Sequence, residues 1–415
     1  MLKILLFCLI IVWPNMVMAQ KGDDGYNLEF QIYINTTLTL GEVVKAALAR
    51  SPDNIVVQSK GLNSQALRGR AGSFFSATPE ISIQHQNDSL RSDQGLREWQ
   101  TSIDMPLWLP GQKSAAKNKA RMAINETTAY EKLVILEVTG QVREILWELK
   151  LGKATLDQAL KNLELSQALN KDINKKIAAG NLARRDAFLS QQDVMTRKME
   201  LISATGDYIH VAREYSSVTG LDQRPENIEE VIVSDVDGEN APMVELANAQ
   251  VDYQEAEYRE VKNSWSSAPK FSMGLKRERG KLLGRNIDSV GFGLTLPLGA
   301  GVHMTSKRAA SALELASAER NLQLVQRQHR LHLHEAVHEL EICQVQLPLS
   351  QSHYQLASEN LRLSQKAFDM GQSDLLDLIK IQEQFFQSSA QNTKIIIECK
   401  RAVARHNQIK GILLP

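Results

Sequence analysis

The chain repeats itself. Across its 415 residues, three pairs of segments match in the same order at a nearly constant offset. Pro52, Ala66 and Pro79 in the stretch 51–83 fall on Pro242, Ala256 and Pro269 in 241–273, each 190 residues on. Pro106 in "MPLWLPGQKSAAKNKARMA" falls on Pro297 in "LPLGAGVHMTSKRAASALE", and Gly180 and Asp186 in "AAGNLARRDAFL" fall on Gly371 and Asp377 in "DMGQSDLLDLIK", all 191 on. A tandem duplication of this kind requires one supersecondary unit built twice, with the two copies stacked on each other.

The unit has a readable order. An amphipathic helix (39–77, and 241–267 in the second copy) leads into a Pro-bounded strand, "PEISIQHQ" or "PKFSMGLKRE", in which Ile81 and Ile83, or Phe271, Met273 and Leu275, share a face. After a polar loop comes a second alternating strand. Trp99, Thr101, Ile103, Met105 and Leu107 form one row and Gln100, Ser102 and Asp104 the other. In the second copy Val290, Phe292, Leu294 and Leu296 alternate with Gly291, Gly293 and Thr295. Two readings fit these rows: lipid-facing and lumen-facing sides of a membrane barrel hairpin, or a soluble hairpin with one buried face. Trp99, Trp108 and Trp265 fall in or beside these segments, as an interfacial aromatic girdle requires. Four strands cannot close a barrel, so the barrel reading needs several chains sharing one.

Each hairpin is followed by a long helix almost free of breakers, 111–179 and 306–370. At 1.5 Å per residue such helices reach about 100 Å. Leu156, Leu160 and Leu163 give the stripe of a helix packed on partners. Gly180 and Gly371 stand where a helix C-terminus wants a left-handed residue, and the chain then returns as a second helix. The expected fold class is therefore mostly α with a small β part: two long α-helical hairpins, each hung from a β-hairpin. The expected domains are a signal peptide over 1–19, an N-terminal extension over 20–38, a first repeat over 39–215 (β-hairpin 79–108, tip near 180–186), and an acidic, turn-rich connector over 216–240. A second repeat follows over 241–411 (β-hairpin 269–298, tip near 371–377), with a tail over 412–415.

The N-terminus carries Lys3, an apolar run from Ile4 to Trp13, and Val17-Met18-Ala19 ahead of a cleavage point before Gln20. That is the pattern of a secretory signal peptide; the run is too short for a membrane span. Cys8 lies inside the apolar run with no small residue before it, which argues against a lipid-modified cysteine. With no later run of about 18 apolar residues, membrane entry after export has to use strands. Lys+Arg 48 balances Asp+Glu 48, so there is no basic surplus to suggest a nucleic-acid partner.

Taken together, "LTLGEVVKAALARSP" (38–52), the junction "MPLWLPGQKSAAKNKA" with its echo "LPLGAGVHMTSKRAA", and the two turns led by Gly180 and Gly371 resemble the TolC-type outer-membrane efflux proteins over essentially the whole mature chain. The general pattern is closest to the CzcC/CusC-like heavy-metal efflux branch. The resemblance implies a homotrimer in which three chains of four strands build one twelve-stranded barrel in the outer membrane, with the helices forming a tunnel across the periplasm. It implies a periplasmic adaptor (membrane fusion protein) and an inner-membrane pump of the RND type as partners, no cofactor, and no bond made or broken. Substrates, heavy-metal cations among them, pass from pump and adaptor to the outside.

By the same resemblance the hairpin tips close the lumen. Asp186 and Asp377, each six residues after its turn glycine, match gate-forming carboxylates, and Arg185, Phe368 and Ser373 match other gate positions. Rings of such carboxylates select cations. The plainer reading is that Asp374 and Asp377 complement a helix dipole; the two readings are compatible. Lys380 departs from the pattern of members with a second acidic residue there.

Cys343 lies 28 residues before Gly371 and Cys399 lies 28 after it, so antiparallel helices meeting at that turn bring them to one height. A disulfide and two buried thiols both fit. "HRLHLHEAVHEL" (329–340) contains His334-Glu335-Ala336-Val337-His338, the H-E-x-x-H of zinc metalloproteases. It lies midway along an unbroken helix, its repeat counterpart is "REILW" (143–147), and Glu339 is charged where the proteases carry an uncharged residue. The readings for His334 and His338, with His329 and His332 nearby, are a metal-binding patch or a solvated helix face. A zinc hydrolase accounts for five residues, and a periplasmic coiled-coil adaptor accounts for the helices but not the strands.

Overall fold

The computed structural model describes residues 31–92, 94–233, 241–281, 284–298 and 300–414, and every absence stated below refers to these. The signal peptide, residues 20–30 of the N-terminal extension, and 234–240 of the connector lie outside them. Along the chain run β1 (Tyr33–Asn35), α1 (Leu40–Arg50), α2 (Asp53–Gly72), β2 (Glu80–Asn87), β3 (Arg97–Pro106), α3 (Gln112–Ala178), α4 (Arg184–Thr219), β4 (Gln223–Pro225), α5 (Pro242–Lys262), β5 (Lys270–Arg279), β6 (Ile287–Thr295), α6 (Ala300–Asp369) and α7 (Leu375–Ile409). The duplicated helix–hairpin–helix–helix order is present in full.

The first helix of the first repeat is two helices. Thr39 opens α1 with a capping box: Glu42 N–H donates to the Thr39 hydroxyl, and Thr39 N–H donates to the Glu42 carboxylate at 2.8 Å. Expectation had one helix over 39–77, but Pro52 has no N–H to donate and drives Ser51 into an extended conformation, so α2 starts afresh at Asp53. In α6, by contrast, Pro348 is accommodated inside the helix. That helix starts at Ala300, six residues before the expected Ser306, with Gly301 inside its first turn.

Both tips end in the same Schellman motif. Gly180 (φ +80°) donates to Ile177 O while Asn181 donates to Lys176 O; Gly371 (φ +73°) donates to Phe368 O while Gln372 donates to Ala367 O. Only a residue free of a Cβ adopts this left-handed turn without cost, which is why the two glycines sit at the same place in each repeat.

The strands form one antiparallel sheet in the order β2-β3-β5-β6, so β3 of the first hairpin joins β5 of the second. The register puts Ile81, Ile103, Met273 and Phe292 in one line and Ile83, Thr101, Leu275 and Val290 in the next. Lines of Ser82, Ser102, Gly274 and Gly291 alternate with them on the other face. A second pairing was not foreseen: β1 runs parallel to β4, tying the N-terminal extension to the connector.

The main core lies at mid-height of the helices, where Val142, Leu146, Trp147 and Leu149 of α3 meet Tyr208, Ala212 and Tyr215 of α4, Val43 of α1 and Ile397 of α7. The connector is fastened over this core. Buried Arg143 forks onto Glu230 at 2.7 and 2.8 Å and also donates to Gln408 and to Ile412 O, while Glu229 receives Lys150 and Lys400. Hydrogen bonding from Lys400 holds the Glu229 carboxyl below its ordinary pKa, with Lys150 adding to the effect.

Candidate functional site

The sheet is built inside out for a water-soluble protein. Its apolar face packs on nothing: Ile81 is 69% exposed, Ile83 67%, Leu275 63% and Phe292 68%. Trp99 stacks on His85 toward the loop end of the strands, with ring centroids 4.2 Å apart, and Trp108 and Trp265 lie at the helix end. Apolar side chains in the middle with aromatic groups at both ends is the profile of a strand facing lipid between two interfaces. The soluble-hairpin reading requires this face to be buried, and it is not. Strands β2 and β6 are edges with a partner on one side only. No described helix is long and apolar enough to cross a membrane.

At the far end, α3, α6 and α7 meet in a small tip core of Leu169, Ile173, Phe368, Leu375 and Leu378, with Leu189 of α4 packed against it. Phe368, which the resemblance places at the gate, packs inside this tip core within one copy. Its ring is 6% exposed within this core and carries the Lys176 ammonium 4.4 Å from its centroid. Lys176 in turn donates to Asp369, linking the two hairpins just above the turns. Partial burial works against the charge of Lys176, but its bonds to Asp369 and Asp172 prevail and raise its pKa. A second link lies higher: Arg197 of α4, packed over the Phe386 ring, pairs with Asp193, Glu200 and, across to α7, Glu383. These cross-hairpin pairs have no sequence signature.

The two tip aspartates differ. Asp186 is largely covered and turns back to accept from Ala183 N–H at 3.3 Å, so it serves the start of α4. In the second tip that task falls to Asp374, which accepts from Asp377 N–H at 2.8 Å and leaves the Asp377 carboxylate exposed. Arg185 is 84% exposed beside Asp186. Ser373 is half-buried with its hydroxyl turned inward, and Lys380 is exposed.

His334 and His338 lie on the open side of α6 with parallel rings, 6.5 Å between centroids, and Glu341 is 3.6 Å from His338 Nδ1. Among the described residues no group of three metal-ligating side chains includes them, so within one copy the pentad lacks the third ligand a zinc hydrolase needs. Cys343 and Cys399 are bonded, with Cα atoms 5.4 Å apart. The equivalent pair in the first hairpin is Gly152 and Tyr208, where a Cβ added to the glycine would lie 3.7 Å from Tyr208 Cα. Alkylation without reductant is expected to leave the mass of the mature chain unchanged; two added labels would refute the bond.

Solved structures with this fold include the CmeC outer membrane channel of Campylobacter jejuni, at a TM-score of 0.73 and 12% identity over 96% of this chain and 94% of that one. The outer membrane protein VceC of Vibrio cholerae gives 0.73 and 14% over 90% and 96%. CusC, which forms a transmembrane channel, gives 0.72 and 11% over 95% and 95%. No family model and no curated protein matches the sequence. The fold is that of the TolC-type outer-membrane channels, as the resemblance implies, and the proteins just named are channels or outer-membrane proteins rather than enzymes.

Proposed function

We propose that this chain is one protomer of an outer-membrane exit duct, closing as a homotrimer into a twelve-stranded barrel above a helical tunnel. The observation that carries the proposal is the exposed apolar face of a four-stranded sheet whose two edges are open. An open edge invites another strand, and joining β6 of one copy to β2 of the next removes every edge at once. The helices support the same closure. On α6, Ile342, Leu349, Leu356 and Leu363 are exposed at seven-residue spacing, and on α4 Phe188, Met195 and Ile202 are exposed at the same spacing with Met199 between the last two, the pattern of helices prepared for lateral partners.

In this reading the tips form the periplasmic entrance, where a membrane fusion protein and an RND-type inner-membrane pump dock, and the lumen carries cargo that includes heavy-metal cations. Asp377 supplies the exposed ring of carboxylates; Asp186 contributes mainly by capping. The test is conductance of the purified chain in planar bilayers. A cation-selective pore is expected, and a soluble monomer that makes no pore would end the proposal. Asp377→Asn is expected to lower cation selectivity while leaving thermal stability unchanged. Asp186→Ala, which removes the acceptor for Ala183 N–H and a negative charge from the first turn of α4, is expected to cost about 0.5–1 kcal/mol of stability with a smaller change in selectivity.

A further inference from the structure

We propose that the assembled duct holds a transition-metal site between neighbouring copies, formed by His334 and His338 of one copy and His210 of the next, with the Glu335 carboxylate beside them. The inference rests on the ring closure proposed above and adds to it a ligand and a place.

The argument uses the chain's own duplication as a guide to its interface. Within one copy the two hairpins meet where α3 packs on α7. At mid-height of that contact Arg401 of α7 reaches Glu144 and Glu148 of α3, and Arg143 and Trp147 on the same turns of α3 are buried. The repeat offset carries α3 onto α6 and α7 onto α4. These are the two helices with free apolar stripes on the lateral edges of the copy. Setting α6 of one copy against α4 of the next therefore repeats the α3–α7 contact with different side chains.

Shifted by the 191-residue offset, Arg143 becomes His334, Glu144 becomes Glu335 and Trp147 becomes His338, while Arg401 becomes His210. All four replacements are exposed in the single copy. Where the internal contact sets the Arg401 guanidinium on Glu144 and Glu148, the contact between copies sets the His210 imidazole against Glu335 and Glu339, with His334 and His338 on the same turns of α6. Three imidazoles with an adjoining carboxylate suit a borderline divalent ion such as Zn2+, Cu2+ or Ni2+.

The half of the site within one copy is already arranged for this. The His334 and His338 rings lie within 9° of parallel, one helical turn apart. The Glu341 carboxylate lies 3.6 Å from His338 Nδ1 and leaves Nε2 as the nitrogen open to a metal ion. Because no described group of three ligand side chains exists within one copy, the site is incomplete until His210 of the next copy arrives.

The test uses the full-length oligomer in detergent, stripped with chelator and titrated with Zn2+ by calorimetry. About one ion per copy is expected, with the heat resistance of the oligomer raised by Zn2+. Loss of a ligand weakens binding by roughly tenfold or more, and this is expected both for His334→Asn/His338→Asn and for His210→Asn alone. As an independent check of geometry, His210→Cys combined with His338→Cys is expected to link neighbouring copies by a disulfide. An oligomer that binds no Zn2+, or that binds it equally with His210→Asn, overturns the site and leaves the duct standing. A chain that sediments only as a monomer overturns both.

Discussion

Phe292→Arg is expected to keep the protein out of the outer membrane. Phe292 lies mid-strand in β6, between Val290 and Leu294 on its own strand and opposite Met273, on the face that meets no other part of the chain. A charged side chain at the midplane of a barrel's lipid face costs about 2–4 kcal/mol, and a closed trimer bears that cost in every copy. Ser289→Arg, three positions away on the opposite face, is the control and is expected to insert normally. The measurement is the amount of heat-modifiable oligomer in the outer-membrane fraction. Wild-type levels of Phe292→Arg would show that this face does not meet lipid.

Arg143→Met is expected to have the largest effect on the helical body. The guanidinium is 5% exposed and closes a polar knot joining α3, the connector, the end of α7 and the C-terminal tail. Removing one member of a buried ion pair costs about 3–5 kcal/mol, because its partner is left charged and unpaired. Here the stranded group is Glu230, which keeps only the Asn407 amide at 3.1 Å. The melting temperature is expected to fall and the connector around 226–233 to become open to protease. Adding Glu230→Gln to the variant is expected to restore part of the loss, since it removes the stranded charge. If the double variant is no better than the single one, the cost lies in lost packing rather than in charge.

The sequence shows well those features that physical chemistry writes locally. The tip glycines could be placed because a long helix that must turn back needs a left-handed residue at its end, and Gly180 and Gly371 sit at matching points of the repeats where each long helix reverses. The strand rows could be placed because alternation survives whatever the sheet packs against. The break at Pro52 was written in the sequence but outweighed by the helical pattern on both sides of it. The β1–β4 pair is three residues on each strand, joining segments about 190 residues apart, and nothing local announces it. Phe368 matches a gate position by its place in the chain, while the tip core around it is supplied by Leu169, Ile173, Leu375 and Leu378 on other helices, which no local pattern announces. The cysteines shared a height by counting, and whether they faced each other depended on the rotation of two helices, which counting does not give.

The Cys343–Cys399 bond makes the two hairpins mechanically unequal. It closes a loop of 56 residues, a constraint worth about 4 kcal/mol against the unfolded chain, but its other consequence concerns sliding. Two helices riveted at one point cannot shift lengthwise past each other there; they can only bend or twist about the rivet. The rivet lies five residues before Pro348, where α6 lacks a backbone hydrogen bond and bends most easily. The first hairpin has only Gly152 resting on Tyr208 at the equivalent point and keeps its freedom to slide. A widening of the tips would thus divide between the hairpins as translation in the first and flexure in the second, with the Lys176–Asp369 and Arg197–Glu383 pairs as the joints that have to shear.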